Sequence, residues 1–236
     1  MTETAIDPVF ARSLQAACQR WDVVLAPSRI EILWQHFSRV REANKQFNLT
    51  RIIDARRAAI EHYADSLTLL PWLARHNVSL PAGSQALDVG TGGGWPGLPL
   101  AVCLPDVQWT AIDSTGKKAR FVAETATVLE IRNLCVLHAR ARELVGRAGP
   151  FDLVVCRAVA KLAKLVRETA DLLAPGGMLV CYKTARMTDE EWADGQRAAT
   201  QTRLIPQSET TISLGDEFGD YSRVLVSYRR EPAAPQ

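Results

Sequence analysis

The sequence predicts an α/β fold: a mostly parallel, seven-stranded, doubly wound sheet with an N-terminal helical extension and a C-terminal antiparallel hairpin. Three observations predict it. Between Gln85 and Lys183, short apolar runs alternate with helix-length segments, the pattern of right-handed βαβ units. Before them, residues 1–80 carry only helical periodicity. After them, two further strand-like runs flank an acidic, glycine-containing segment, Gly215–Gly219, as a reversed hairpin at a sheet edge would. The turn Pro81-Ala-Gly83 marks the boundary, dividing an extension (1–80) from the sheet domain (81–236).

Each element has a local reason. Ile30, Leu33, Trp34, Phe37 and Val40 fall at i, i+3, i+4, i+7 and i+10, one stripe of a helix that Pro27-Ser28 can start. Asp54 can cap a second helix that ends near Pro71 and buries Ile60, Ala64 and Leu67. The predicted parallel strands are Ala86–Val89, Trp109–Asp113, Leu134–His138, Leu153–Arg157 and Met178–Lys183, with helices at about 96–104, 116–131, 140–146 and 160–173. Ala174-Pro-Gly-Gly177 ends the last of these and launches the fifth strand. Thr188-x-x-Glu191 is a capping-box match that opens another helix. The hairpin strands lie around 203–213 and 222–229.

Composition excludes several classes. The chain has 236 residues, is 47% hydrophobic and carries a net charge of +2, which is too apolar and too weakly charged for wholesale disorder. No apolar run is long enough to span a bilayer, and no basic-then-apolar leader opens the chain, so the expectation is a cytoplasmic protein. Five scattered cysteines, with no CxxC among them, predict neither a zinc site nor a disulfide framework, and no metal is expected. Charge is uneven: residues 114–167 hold eleven Lys/Arg against four Asp/Glu, and residues 168–236 hold seven against eleven. A basic block beside an acidic one suggests a polyanionic partner for one face.

The strongest local signal is Leu87-Asp-Val-Gly90-Thr-Gly92-Gly-Gly94-Trp-Pro-Gly97, between a strand and a helix. Its glycines permit a sharp turn and close approach of backbone amides to a ligand. Gly92-x-Gly94-x-x-Gly97 also fits the dinucleotide pattern. Asp88 tilts the reading toward S-adenosylmethionine: a carboxylate there can meet a cationic amino-acid group and would repel a pyrophosphate. Asp113 ends the second strand, where a carboxylate can accept hydrogen bonds from ribose hydroxyls of either cofactor. The structural alternatives are a cap on the loop amides for Asp88 and a helix N-cap for Asp113, with Ser114 and Thr115 competing.

Several ordered motifs together resemble one family. They are Asp88-Val-Gly-Thr-Gly92, Trp95-Pro-Gly-Leu-Pro99, Asp113-Ser114-x-x-Lys117-Lys118-x-x-Phe121, Phe151-Asp-x-Val-Val-x-Arg157-Ala158, and, upstream, Asn48-Leu-Thr50 with His62-x-x-Asp65-Ser-Leu67. From about residue 44 to 183 the chain resembles the RsmG/GidB family of bacterial 16S rRNA guanine-N7 methyltransferases. The resemblance implies a Rossmann-like class I S-adenosylmethionine-dependent methyltransferase that modifies one guanine N7 in the decoding region, with 16S rRNA or the 30S subunit as partner. A monomer is the expected state, though no motif bears on it. By motif position it places cofactor contacts on Gly90, Trp95, Ala141-Arg142 and Arg157. Asp88, Gly92, Gly94, Asp113 and Ser114 complete the expected cofactor set. Trp95 stands where the family usually has Phe or Leu. Arg142 stands where it often has Glu, and here Glu143 follows. Cys156 replaces a small hydroxyl residue.

Guanine N7 carries a free lone pair, so its methylation needs no base, and no acid–base set is expected; alignment is the main task. Arg157 closes the fourth strand, where it can position substrate or cofactor; the alternative is a salt bridge to Asp88 or Asp113. Lys117, Lys118, Arg120, Arg140, Lys161 and Lys164, with Arg142, follow strands two to four on one side and are candidate phosphate contacts. Cys156 and His36 are expected to pack without a role, and His62 to make a structural hydrogen bond. The competing readings are a methyltransferase acting on a small molecule or protein, an NAD-dependent oxidoreductase, and a non-catalytic RNA-binding module.

Overall fold

The computed structural model describes residues 5–157, 160–184, 187–213 and 222–232. The expected Gly215–Gly219 loop and Ala158 lie outside the described residues.

The N-terminal helices are α1 (Pro8–Gln19), α2 (Pro27–Ala43), α3 (Ala55–Ala58), a π-helical turn (Ala59–Ala64), α4 (Asp65–Leu67) and α5 (Leu69–Arg75). Asp7 caps α1 through the amides of Val9 and Phe10. The α2 stripe is buried as its periodicity predicts, and His36 is buried with it. Asp54 caps α3 by accepting from the Arg57 amide at 2.8 Å. The single helix expected after it is instead broken. The π turn widens the coil and shifts which side chains face inward, and residues 62–69 are buried all round. Pro71 does not end the run. It falls in the first turn of α5, where a missing N–H costs nothing.

The sheet strands are β1 (Gln85–Val89), β2 (Gln108–Asp113), β3 (Leu134–His138), β4 (Phe151–Arg157), β5 (Leu173–Thr184), β6 (Leu204–Ser213) and β7 (Ser222–Arg230). Their order is β3-β2-β1-β4-β5-β7-β6. The first five are parallel, while β7 runs antiparallel to both β5 and β6. Between them run α6 (Gly97–Cys103), α7 (Gly116–Val128), α8 (Ala141–Leu144), α9 (Leu162–Thr169) and α10 (Asp189–Gln201). β5 starts earlier than the apolar run suggested, because Leu173 pairs with Phe151 across a register shift. The capping box of α10 is half formed. Thr188 accepts from the Glu191 amide, but the Glu191 carboxylate turns to the Leu162 amide and Lys183.

Strand alternation divides the interior into two layers. Leu153, Val155, Val180 and Tyr182 face α6, α7 and the N-terminal helices, forming one apolar cluster with Phe10, Phe37 and Tyr63. Val154, Cys156, Leu179 and Cys181 face α8, α9 and α10. The N-terminal helices therefore cover the β1–β4 junction from one side. That junction is where the chain's strand order reverses, the place where ligands bind on such sheets.

Candidate functional site

The loop after β1 is built on hydrogen bonds that only a tight backbone can make. The amides of Gly90 and Thr91 donate to the Ile112 carbonyl at 2.8 and 2.9 Å, and those of Gly94 and Trp95 to the Thr91 carbonyl at 2.8 and 2.9 Å. Gly90 and Gly92 take φ of 75° and 60°, the left-handed region that favours glycine. A Cβ on Gly97 would stand 2.6 Å from Asp88 Oδ2, so glycine is what lets α6 start directly over that carboxylate.

Asp88 is fully buried. Its Oδ2 accepts the Gly97 amide at 2.9 Å, and among the described residues its Oδ1 has no hydrogen-bond partner. Burial pushes its pKa up to about 6; the Thr91 hydroxyl, the Gly97 amide and Arg157 pull the other way. The Thr91 hydroxyl is near enough to favour the charged form, yet among the described residues its oxygen also lacks a hydrogen bond of ordinary geometry. A buried carboxylate oxygen without a donor costs free energy. A cation or N–H group arriving over the loop would relieve it.

Asp113 is committed to the backbone. Its two oxygens accept from the Gly92 amide at 2.9 Å and the Thr115 amide at 2.7 Å. It thus ties the glycine loop to the β2–α7 turn and is not the helix N-cap, which is Thr115. Ser114 is exposed, and its carbonyl accepts from His138 Nε2 at 3.1 Å. Across the edge, Ala141 is buried. Arg142 is exposed and reaches Glu168 at 3.6 Å, while Glu143 folds back onto the Arg140 amide at 3.0 Å.

Trp95 is buried beneath an aromatic group. His62 stacks on it at 3.9 Å between centroids and 23°. Tyr63 meets it edge-on at 6.0 Å, and the Arg157 guanidinium lies 5.8 Å from its ring centroid, within cation–π range. His62 Nε2 also meets the Thr50 hydroxyl at 2.8 Å, the structural bond expected for it. Burial, then Arg157, pushes the His62 pKa down to about 2.

Arg157 is ion-paired, but with neither of the expected acids. Its Nη1 donates to Asp65 Oδ2 at 2.8 Å and to the Glu61 carbonyl at 3.1 Å. Asp65, fully buried, is held from the other side by Arg223 of β7. Spacing alone could not pair a helix, β4 and β7; the His62-x-x-Asp65 motif was the only signal. His36 was also undervalued. It lies under the loop, with Nε2 2.8 Å from the Gly93 carbonyl and Nδ1 2.7 Å from the Tyr63 hydroxyl. Its position, three residues beyond Leu33 on the buried stripe, was the available clue. Cys156 is buried in the second layer, as a packing role requires.

The basic residues sit where parallel strands deliver them. Lys117, Lys118 and Arg120 lie near the start of α7, Arg140 after β3, and Lys161 and Lys164 at the start of α9. All but Lys118 are exposed, and Lys118 is half-buried. Lys164, like Arg142, approaches Glu168, at 3.9 Å. Lys117 and Arg120 also line a groove of about 1170 Å³ between α2 and α7 with Arg39, Gln46 and Phe47. No residue of the glycine loop lines that groove.

These residues fit S-adenosylmethionine. The unmet Asp88 oxygen can take its cationic amino group. The Gly92 side of the loop is open, since a Cβ there would meet only the Gly90 carbonyl, at 4.0 Å. Among the described residues no three His, Cys, Asp or Glu are grouped to hold a metal, and no helix is long and apolar enough to cross a membrane.

Comparison with known proteins agrees. The family model described as GidB, rRNA small subunit methyltransferase G, matches residues 29–217. Ribosomal RNA small subunit methyltransferase G of Sorangium cellulosum is 38% identical over 205 residues, covering 84% of each chain. That of Cellvibrio japonicus is 35% identical over 185 residues, covering 78% of this chain and 83% of its own. Among solved structures, the precorrin-6y C5,15-methyltransferase of Geobacter metallireducens aligns with a TM-score of 0.53 at 13% identity, over 71% of this chain and 87% of that one. The [4+2]-cyclase SpnF aligns with a TM-score of 0.57 at 16% identity, over 72% and 82%. These two likenesses are of fold alone, and a cyclase among them shows that fold does not carry the reaction. The sheet order is that of class I S-adenosylmethionine-dependent methyltransferases, and the family, not the fold, makes rRNA the methyl acceptor. The chain belongs to the GidB family of rRNA small subunit methyltransferases.

Proposed function

We propose that the protein transfers a methyl group from S-adenosylmethionine to N7 of a single guanine in the decoding region of 16S rRNA, acting as a monomer on the 30S subunit or its RNA in the cytoplasm. The observation that carries this is the family match over residues 29–217. The edge chemistry supports it: His36 and His62 are buried and made weak bases, with pKa values pushed down to about 4 and about 2. A lone pair that is already free needs no stronger one.

The bound cofactor supplies an electrophilic methyl on a sulfonium. Asp88 Oδ1 would take its amino group, the loop of Gly90, Gly92 and Gly94 would admit it close to the backbone, and Trp95 would offer an apolar wall. Asp113 and Ser114 would hold its ribose, and Ala141 with the Arg142–Glu143 backbone would complete the cofactor contacts. Arg157, anchored by Asp65, closes the pocket and positions cofactor or base. Alignment then does most of the catalysis. Lys117, Lys118, Arg120, Arg140, Lys161 and Lys164 hold phosphates. Residues 1–80 serve as an extension that roofs domain 81–236.

The test uses labelled S-adenosylmethionine and small subunits from cells lacking this enzyme, with the methyl mapped by chemical cleavage at N7-methylguanine. Label at one decoding-region guanine is expected. Cofactor binding without label on subunits or naked rRNA would move the reading to a small-molecule or protein substrate.

A further inference from the structure

We propose that His36 is a positioning residue for the cofactor loop, donating its Nε2–H to the Gly93 carbonyl and so holding Gly92–Gly94 ready for ligand, with Tyr63 fixing the tautomer that can donate. The inference rests on the reading that this loop binds S-adenosylmethionine.

The direction of each bond follows from its partner. The Gly93 carbonyl can only accept, so Nε2 carries the hydrogen at 2.8 Å. In the neutral ring Nδ1 is then an acceptor, and the Tyr63 hydroxyl, 2.7 Å away, donates to it. His36 is fully buried, and burial pushes its pKa down to about 4, so one neutral tautomer persists at physiological pH. The contact is close: a Cβ on Gly94 would stand 3.0 Å from His36 Nε2. The loop is thus pinned from two sides. Asp113 holds the Gly92 amide from the sheet, and His36 holds the next carbonyl from α2. Without that donor Gly93 can rotate its peptide and carry the neighbouring amides off the ligand. Helix α2 therefore contributes to cofactor affinity without touching the cofactor.

Two amides separate the two ends of the imidazole. His36→Asn keeps an acceptor near the Nδ1 position but cannot reach Gly93. His36→Gln places an N–H near the Nε2 position. Calorimetric titration of each full-length variant with S-adenosylmethionine, without RNA, should show affinity lowered about tenfold in His36→Asn, the loss of one buried hydrogen bond. His36→Gln should stay within about threefold of wild type. In the transfer assay His36→Asn should raise KM for S-adenosylmethionine, leaving KM for RNA unchanged. Hydrogen exchange at the Gly94 amide should quicken in Asn and not in Gln, which a merely packing role would not produce. Equal affinities in the two variants, or wild-type affinity in His36→Asn, would overturn the proposal. A wild-type protein that binds no S-adenosylmethionine would overturn the cofactor reading and this one with it.

Discussion

Two carboxylates are buried at the same edge of the sheet, and the regions around them are finished to different degrees. Around Asp65 both oxygens are met: Arg157 reaches one and Arg223 both. Around Asp88 one oxygen has a backbone amide and the other, among the described residues, has no hydrogen-bond partner. The closed region joins the N-terminal helices to β4 and β7. The open one lies beneath a loop of glycines. A buried acid with all its partners belongs to the architecture, and one left short of a partner calls for an explanation, which the proposed cofactor site supplies.

The comparison can be broken most sharply at Asp65. Asp65→Asn removes the carboxylate that two buried guanidiniums share, and should cost about 3–5 kcal/mol in urea denaturation. A loss under about 1 kcal/mol would make the triad ornamental. Asp88→Asn should behave in the opposite way. Its carbonyl can still accept the Gly97 amide, so stability at pH 7 should stay within about 1 kcal/mol of wild type, while affinity for S-adenosylmethionine falls by about tenfold or more. Unchanged affinity would remove Asp88 from the site.

A pH series sharpens the contrast. His36 and His62 have folded pKa values of about 4 and about 2 against 6.5 unfolded, so below pH 6.5 each takes up a proton on unfolding. Asp88, at about 6 folded against 3.8 unfolded, releases one between those values. Near pH 5 the balance is one proton taken up, and stability from these groups should fall by about 1.4 kcal/mol for each unit of acidification. In His36→Gln uptake and release cancel, so its stability curve should be flatter than wild type by that slope. Parallel curves would mean His36 is not held neutral. The smallest effects belong to the exposed cations. Lys117→Ala and Arg120→Ala should each lower the salt slope of RNA binding by about one, weaken binding to all sequences alike, and leave Tm in place. A slope that does not change would take that residue off the RNA path.

The sheet was legible because buried parallel strands are apolar runs with sharp ends: β3 is found at its predicted bounds, and β1, β2 and β4 within two residues of theirs. The glycine loop was legible because positive φ at Gly90, Gly92 and Gly94 leaves its mark on composition. Long-range partners were not. Nothing in the spacing shows that Arg157 reaches a helix 92 residues earlier, so its acid was sought among the strand-end aspartates instead. His36 was hidden for another reason. The stripe through Leu33, Phe37 and Val40 identified a core face, but the histidine on it was read as filler, although a polar ring there must find partners. The π turn had no signature at all, because adding a residue to one helical turn changes phase and not composition.

Arg223 gives the closed region a history as well as a geometry. Asp65 leaves the ribosome early, Arg157 well after it, and Arg223 only when β7 has been made. Yet β7 lies inside the sheet, between β5 and β6, so β6 must wait for the strand that follows it. Vectorial synthesis therefore presents the N-terminal helices long before their last counter-ion exists. A nascent chain that has reached α10 already holds every residue of the glycine loop, but the Asp65 carboxylate in the roof over it waits for the Arg223 guanidinium until the final strand slots into place.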